Sequence, residues 1–357
     1  MANIKEMAAH SQVEPRFGSG HSLCRGCGIP SIVRTVLSSI PGPVAVINAT
    51  GCLEVATTRY PFTAWKIPWM HVAFENSAAV ASGVEAAYQA LKTRGELSSP
   101  MTLVVFAGDG GTYDIGLQAL SGALERGHRF IYVCYDNEAY MNTGIQRSSA
   151  TPFGASTTTS PAGLAAIGKP EPRKNIIEIV AAHRIPYVAQ AAMSHWQDLS
   201  NKVQRAFHAD GPAFLNVLSA CPPGWGHEPR DAVRVVRLAV DSGYWPLVEV
   251  IEGHWRLTYK PLQRVPVMQW LTLQNRFRHL FQSGQEEALE KIQVIIDDEW
   301  ETMTRRDADN ASWFATEQAR PWEVVPTLPE SWEPRLGEPM WEHFRKDATR
   351  SNGVVQI

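Results

Sequence analysis

Between about residues 40 and 221, short apolar runs alternate with stretches of helical length, and this alternation restricts the fold more than any other feature. The runs at 44–48, 102–107, 130–135, 187–191 and 213–218 are bounded by Gly, Pro or polar residues, as buried strands are. Between them, 77–92, 116–126, 175–183 and 196–209 read as helices, with Asn76 as the expected cap of the first. Strands alternating with helices of this length predict an α/β fold, a mostly parallel sheet flanked by helices on both faces. Ligands of such sheets bind at the carboxyl ends of the strands.

The flanks differ. Residues 143–174 are rich in Ser, Thr, Pro and Gly, and connections of that length are functional or mobile. After Cys221 the strand pattern fades, and 271–282 and 286–299 read as helical. Residues 301–357 are polar yet carry Trp313, Trp322, Trp332 and Trp341, four of the twelve tryptophans. Disordered tails are poor in aromatics. The segment from about 308 is therefore expected to clamp a neighbouring subunit, with packing on its own chain as the alternative. The expected divisions are an N-terminal arm at 1–22, a main domain at 23–300 and a C-terminal extension at 301–357.

A net charge of −3 gives no electrostatic reason to expect nucleic acid or an anionic membrane as partner. No apolar run approaches the roughly 20 residues of a membrane helix. The first 15 residues lack the apolar core of a signal peptide, so a cytoplasmic protein is expected. Five cysteines, Cys24, Cys27, Cys52, Cys134 and Cys221, are an odd number, which argues for metal binding or burial over a disulfide framework.

Two constellations carry chemistry. Gly108-Asp109-Gly110-Gly111-Thr112 follows the run at 102–107 and precedes a helix. Glycines there let backbone approach a phosphate, and the helix start favours an anion. Asp109 is a hard oxygen ligand suited to Mg²⁺, and Asn137, separated from Gly110 by 26 residues, leaves the next strand at the same end. On spacing alone, a cation–diphosphate site and an ordinary turn are both admissible. In the second constellation, Cys24-Arg25-Gly26-Cys27 is a CxxC pair, followed by Cys52 in Thr50-Gly51-Cys52 and by Cys221 ahead of two prolines. Four thiolates can hold a [4Fe–4S] cluster or a structural zinc, and Cys52 and Cys221 also suit a plain core.

The stretches at 50–83, 108–128 and 135–148, with Cys221-Pro222-Pro223-Gly224-Trp225, closely resemble the β subunit of the pyruvate:ferredoxin (2-oxoacid:acceptor) oxidoreductases, a thiamine diphosphate-binding family. The similarity runs from about residue 18 to 282. It implies a thiamine diphosphate-binding fold in which Asp109 and Asn137 ligate Mg²⁺ through their side chains and Ala139 through its carbonyl. Gly108, Gly110, Gly111 and Thr112 would line the diphosphate, and Asn142 would face the reacting end of the cofactor. Cys24, Cys27, Cys52 and Cys221 would hold a [4Fe–4S] cluster beside it. Cys134 is left over as a core residue.

The implied activity is CoA-dependent oxidative decarboxylation of pyruvate or a related 2-oxo acid, or its reverse. Electrons would pass to ferredoxin or another acceptor. The implied partners are α-, γ- and δ-type subunits, and one of them would supply the glutamate that thiamine enzymes place against the aminopyrimidine. Glu54, Glu75 and Glu138 are not assigned that role. Alternatives are the same chemistry on an aryl 2-oxo acid such as phenylglyoxylate or on oxalate, a non-redox thiamine decarboxylase or synthase subunit, and a zinc-stabilised assembly subunit. His21 and His71 are read as packing or surface groups. Trp65, Trp69 and Trp225 are expected to wall the cluster or pack the core, and Gln146 and Arg147 are candidate substrate or partner contacts.

Overall fold

The structure, a computed structural model, describes residues 15–163 and 166–316. Its strands are β1 (Val44–Ala49), β2 (Trp69–Val72), β3 (Thr102–Gly108), β4 (Ile131–Asp136), the two-residue β5 (Ala162–Gly163) and β6 (Ala166–Ile167), β7 (Tyr187–Ala192), β8 (Ala213–Leu218), β9 (Val248–Ile251) and β10 (His254–Leu257). Its helices are α1 (Ile29–Ser39), α2 (Cys52–Thr57), α3 (Ser77–Thr93), α4 (Leu117–Glu125), α5 (Ile176–Ala181), α6 (Trp196–His208), α7 (Ala232–Asp241), α8 (Met268–Leu271) and α9 (Glu286–Phe314). One sheet of order β10-β9-β7-β8-β4-β3-β1-β2 forms the centre. The strands from β7 to β2 in that order run parallel, and β9 pairs antiparallel with both β7 and β10.

The expected α/β architecture is present, and all five expected strands are found within a residue or so of their ends. Every residue of β4, β7 and β8 is buried, which requires helices on both faces and matches their unbroken apolar composition. On one face α1 buries Ile32, Val33, Val36 and Leu37, and the Ser39 and Ser200 hydroxyls join it to α6 at 2.8 Å. The other face is closed by α3, α4 and α5 through Ala78, Ala81, Leu120, Ala123, Ile177 and Val180. Asn76 precedes α3, but its side chain makes no cap hydrogen bond, and its Oδ1 is buried without a partner.

Three expectations need correction. The sheet does not end at Cys221, since β9 and β10 extend it. They were hidden because each is four residues long and carries a charge. Glu249 on β9 is fully buried, with Arg205 Nη1 at 2.7 Å, Arg256 Nε at 2.8 Å and the Tyr187 hydroxyl all donating to it. Burial opposes its ionisation, but the charges of Arg205, Arg256 and Lys202 prevail and hold the carboxyl down at about 2. Next, the helix expected at 286–299 runs to Phe314, so the division at 301 falls inside α9. Its buried positions, Ile292, Ile296 and Met303, are too sparse to reveal the C-terminal half. Finally, Trp313 packs on its own chain, stacked on His254 at 4.3 Å, while Asp307 accepts from Leu257 N–H at 2.8 Å. Trp322, Trp332 and Trp341 lie outside the described residues. Among those described, no helix is long and apolar enough to cross a membrane.

Candidate cofactor site

Register brings the expected residues together. Gly108 at the end of β3 lies opposite Tyr135, near the end of β4, and Asn48 of β1 lies opposite Phe106. The turns that follow, Thr50-Gly51-Cys52, Gly108–Gly111 and Asn137–Asn142, therefore emerge side by side at the carboxyl edge. They enclose a cleft of about 320 Å³, measured to its open mouth, whose walls include Gly51, Cys52, Phe74, Tyr135 and Met141. Larger cavities exist, but the one of about 900 Å³ under α9 and the one of about 1010 Å³ near the opposite edge of the sheet touch none of these turns. The carboxyl-edge cleft is the one whose chemistry matters.

The glycines are required sterically. A Cβ on Gly110 would sit 2.2 Å from the Tyr140 ring, one on Gly111 would reach 3.1 Å from the Phe74 carbonyl, and one on Gly51 would reach 2.8 Å from the Tyr135 hydroxyl. Gly108, Gly110 and Gly111 line the cleft, whereas the Thr112 side chain is turned inward, donating to Gly108 O at 2.8 Å beside the Tyr132 hydroxyl. Asn142 is exposed at the mouth.

Three oxygens converge on one point of this cleft. Asp109 is 1% exposed, and Ser148 Oγ donates to its Oδ2 at 2.5 Å. Burial and the neighbouring Asp136 carboxylate push the Asp109 carboxyl well above the usual range, opposed by Ser148 and the Asn137 N–H. The Asn137 amide oxygen lies 2.9 Å from Asp109 Oδ1 and 2.9 Å from Ala139 O, with no hydrogen between them. Turning the amide over converts these contacts to hydrogen bonds. Left in place, they match an octahedral Mg²⁺, because ligands at about 2.0–2.1 Å put adjacent oxygens about 2.9 Å apart. A buried acid, two further acceptors and no ion pair to Asp109 among the described residues fit a small hard cation.

The cysteines also gather here. Ser22 N–H donates to Ala56 O at 2.8 Å, which draws the Cys24 loop to α2. Gly28 N–H donates to Ala220 O at 3.0 Å, which draws Cys27 to Cys221. A Cβ on Gly28 would lie 2.4 Å from Met193 Sδ, so only glycine permits this approach. All four are free thiols, Cys24 exposed and the others partly buried. Burial and mutual repulsion push Cys27 and Cys52 up to about 12 and Cys221 to about 11. The N–H groups of Ile29 and Gly224 point at the Cys27 and Cys221 sulfurs and favour their thiolates. Among the described residues, no three His, Cys, Asp or Glu side chains make a ready-formed metal-holding group. Cys134 is fully buried in β4 and apart from this cluster.

Several contributors were not foreseen. Tyr135 stands between Gly51 and Gly108 as a wall of the cleft. The long 143–174 connection folds back onto the site through Ser148, and Lys169 ties it down with bonds to Thr151 O at 2.7 Å and Pro172 O at 2.9 Å. Glu138 is fully buried rather than a surface or loop contact. His71 meets the Thr50 hydroxyl at 2.7 Å and Glu54 at 3.7 Å on the exposed edge strand.

The carboxyl edge of this parallel sheet thus carries three glycines around a buried acid and three converging oxygens. Residues 49–217 match the family described as "Thiamine pyrophosphate enzyme, C-terminal TPP binding domain". The chain is 54% identical over 284 residues to pyruvate synthase subunit PorB of Methanothermobacter thermautotrophicus, covering 80% of this chain and 96% of that protein. It is 48% identical over 308 residues to pyruvate synthase subunit PorB of Thermotoga maritima, covering 84% and 95%. Ketoisovalerate oxidoreductase subunit VorB of Pyrococcus furiosus is 40% identical over 296 residues, covering 82% and 93%. The chain belongs to the PorB family of pyruvate synthase subunits, the β subunits of 2-oxoacid:ferredoxin oxidoreductases.

Proposed function

We propose that this chain holds both the Mg²⁺–thiamine diphosphate and the [4Fe–4S] cluster of a CoA-dependent pyruvate oxidoreductase. The observation that carries the reading is the convergence of Asp109, Asn137 and Ala139 oxygens beside Cys52, which also belongs to the thiol group. Asp109, Asn137 and Ala139 O are the proposed Mg²⁺ ligands, and Cys24, Cys27, Cys52 and Cys221 the cluster ligands.

Bound thiamine diphosphate supplies an electron sink for the carbon that loses CO₂, and a cluster takes up electrons singly. The rest falls to the chain's own residues. Gly108, Gly110 and Gly111 would admit the diphosphate to backbone distance, and Asp109 would hold the cation that offsets its charge. Phe74, Tyr135 and Met141 line the cleft and would restrict water there, and Asn142 at its mouth would face the reacting end of the cofactor. Because Cys52 belongs to both walls, the two centres are neighbours. The N–H groups at Cys27 and Cys221 are of the kind that tune cluster potential. Overall, a 2-oxo acid anion and CoA thiol give the acyl thioester, CO₂, a proton and two electrons, which leave for ferredoxin or a similar acceptor.

The glutamate that thiamine requires is expected from a partner subunit, as the family resemblance implies; Glu138 is committed to Arg276 and Tyr244, and Glu75 is exposed. A substrate screen of the anaerobically purified complex, with CoA and a viologen dye, tests the function. Pyruvate is expected to give the highest kcat/KM. Preference for a branched 2-oxo acid, phenylglyoxylate or oxalate would replace pyruvate within the same chemistry, and CO₂ release without dye reduction would mean a non-redox enzyme.

A further inference from the structure

We propose that Glu138, Arg276 and Trp225 form a brace that positions the Asn137 and Ala139 oxygens for the cation and ties them to the turn carrying Cys221. The inference rests on the Mg²⁺ reading above and concerns positioning residues, since none of the three joins the oxygen triad.

Glu138 lies between the two proposed ligands and has a positive φ of 68°. That reversal lets the Asn137 side chain and the Ala139 carbonyl face one point, and it is unfavourable for a residue with a Cβ. Every polar group of Glu138 helps to hold it. Its N–H donates to Asp136 Oδ1 at 3.0 Å, and its carbonyl accepts from the Thr151 hydroxyl at 2.6 Å. Its carboxylate, fully buried, accepts from Arg276 Nη2 at 2.5 Å and from the Tyr244 hydroxyl, with Arg173 Nη1 at 3.8 Å.

Arg276 is itself 6% exposed, and its guanidinium lies 4.4 Å over the Trp225 ring. The Trp225 indole N–H donates to the carbonyl of Asn137 at 2.8 Å. The reversed residue Glu138 and the Asn137 carbonyl before it are thus held by two side chains that stack on each other. Trp225 also closes the turn after Cys221, because its backbone N–H donates to Cys221 O at 2.8 Å. The turn itself abuts the cation loop, since a Cβ on Gly224 would lie 2.2 Å from Met141 Sδ and 3.2 Å from Cys221 Sγ. A buried Glu–Arg pair is a poor way to fill a core, because apolar residues of the same volume are commonly as stabilising. Placing this pair directly behind two cation ligands gives it a geometric purpose.

The test is equilibrium dialysis of thiamine diphosphate into the assembled complex at varied Mg²⁺. Trp225→Phe keeps an aromatic ring beside Arg276 and removes the N–H, together with part of the buried indole. We expect its half-saturating Mg²⁺ to rise by about three- to tenfold, the equivalent of one net hydrogen bond. Arg276→Lys keeps the charge but loses the planar fork and the stack, and a rise of at least that size is expected. The pair Glu138→Gln with Arg276→Met buries no lone charge and is expected to raise it as well. In all three, iron content is expected to stay at the wild-type value, and saturating Mg²⁺ is expected to restore full thiamine diphosphate occupancy. Unchanged half-saturation, or an occupancy that saturating Mg²⁺ does not restore, overturns the brace. Asp109→Ala runs in parallel. If it retains the cofactor, the Mg²⁺ reading fails and the brace with it; if it loses the cofactor while the brace variants bind normally, only the brace fails.

Discussion

Replacing Asp109 by Asn makes stability and cofactor binding move in opposite directions. The wild-type site buries a carboxylate that is 1% exposed, beside a second buried acid and two further acceptors. Without a cation that arrangement is costly. The amide keeps the shape and an acceptor for Ser148 and removes the charge, so the metal-free complex is expected to gain about 1–3 kcal/mol. With Mg²⁺ and thiamine diphosphate at one hundred times Kd, the wild type gains about 2.7 kcal/mol from ligand linkage, and the variant gains none. Thermal melting of the assembled complex, with and without Mg²⁺ and cofactor, reads both terms. The variant should melt higher than wild type when metal-free and show no shift on loading, with its iron content unchanged. A variant that is stabilised by loading as much as wild type, or that melts lower when metal-free, would refute the reasoning.

Other consequences follow from the same geometry. Cys134→Ser should leave iron content unchanged, while serine at Cys24, Cys27, Cys52 or Cys221 should each remove the cluster signal; an essential Cys134 and a dispensable Cys221 would show the ligand set to be wrong. Glu249→Gln leaves Arg205, Arg256 and Lys202 around a neutral side chain and should cost about 3–5 kcal/mol in denaturant unfolding. Because the folded carboxyl is held at about 2, below its ordinary 4.5, its contribution is complete above pH 4.5 and is lost as pH falls towards 2; the wild-type advantage over the variant should shrink across that window. Trp313→Ala should destabilise the chain by about 2 kcal/mol through the lost stack on His254. Truncation after Thr316 spares that packing, and if the remaining tail clamps a partner, the truncated complex should dissociate on dilution during size-exclusion chromatography.

Legibility in the sequence followed the physical origin of each feature. β3, β4 and β8 are continuous apolar runs because both faces are covered, and such runs stand out without any alignment. The glycines around Asp109 were readable as a turn between strand and helix, while spacing alone left an ordinary turn and a cation–diphosphate site equally open. β9 and β10 were not readable, because Glu249 and Arg256 interrupt the apolar signal, and the pairing of Glu249 with Arg256 and with Arg205 exists only once the strands are side by side. Asn76 had the composition of a cap and did not become one. Glu138 was left without a role in the sequence, and only tertiary structure gives it Arg276, 138 positions away. Trp225 was expected to pack, and it does, but the direction of its N–H towards Asn137 has no sequence signature. The thiol group was readable as a set of residues, while its closeness to the oxygen triad depended on the register of β1 against β3.

The central claim is that one chain carries both centres, and it is tested most directly by measuring iron, acid-labile sulfide, zinc and thiamine diphosphate in the anaerobically purified complex containing either the wild-type chain or Cys221→Ser. The account predicts thiamine diphosphate in both preparations and a loss of about four iron and four sulfide per chain in the variant. Zinc in place of iron, the same iron content in both preparations, or wild-type complex without thiamine diphosphate would contradict it.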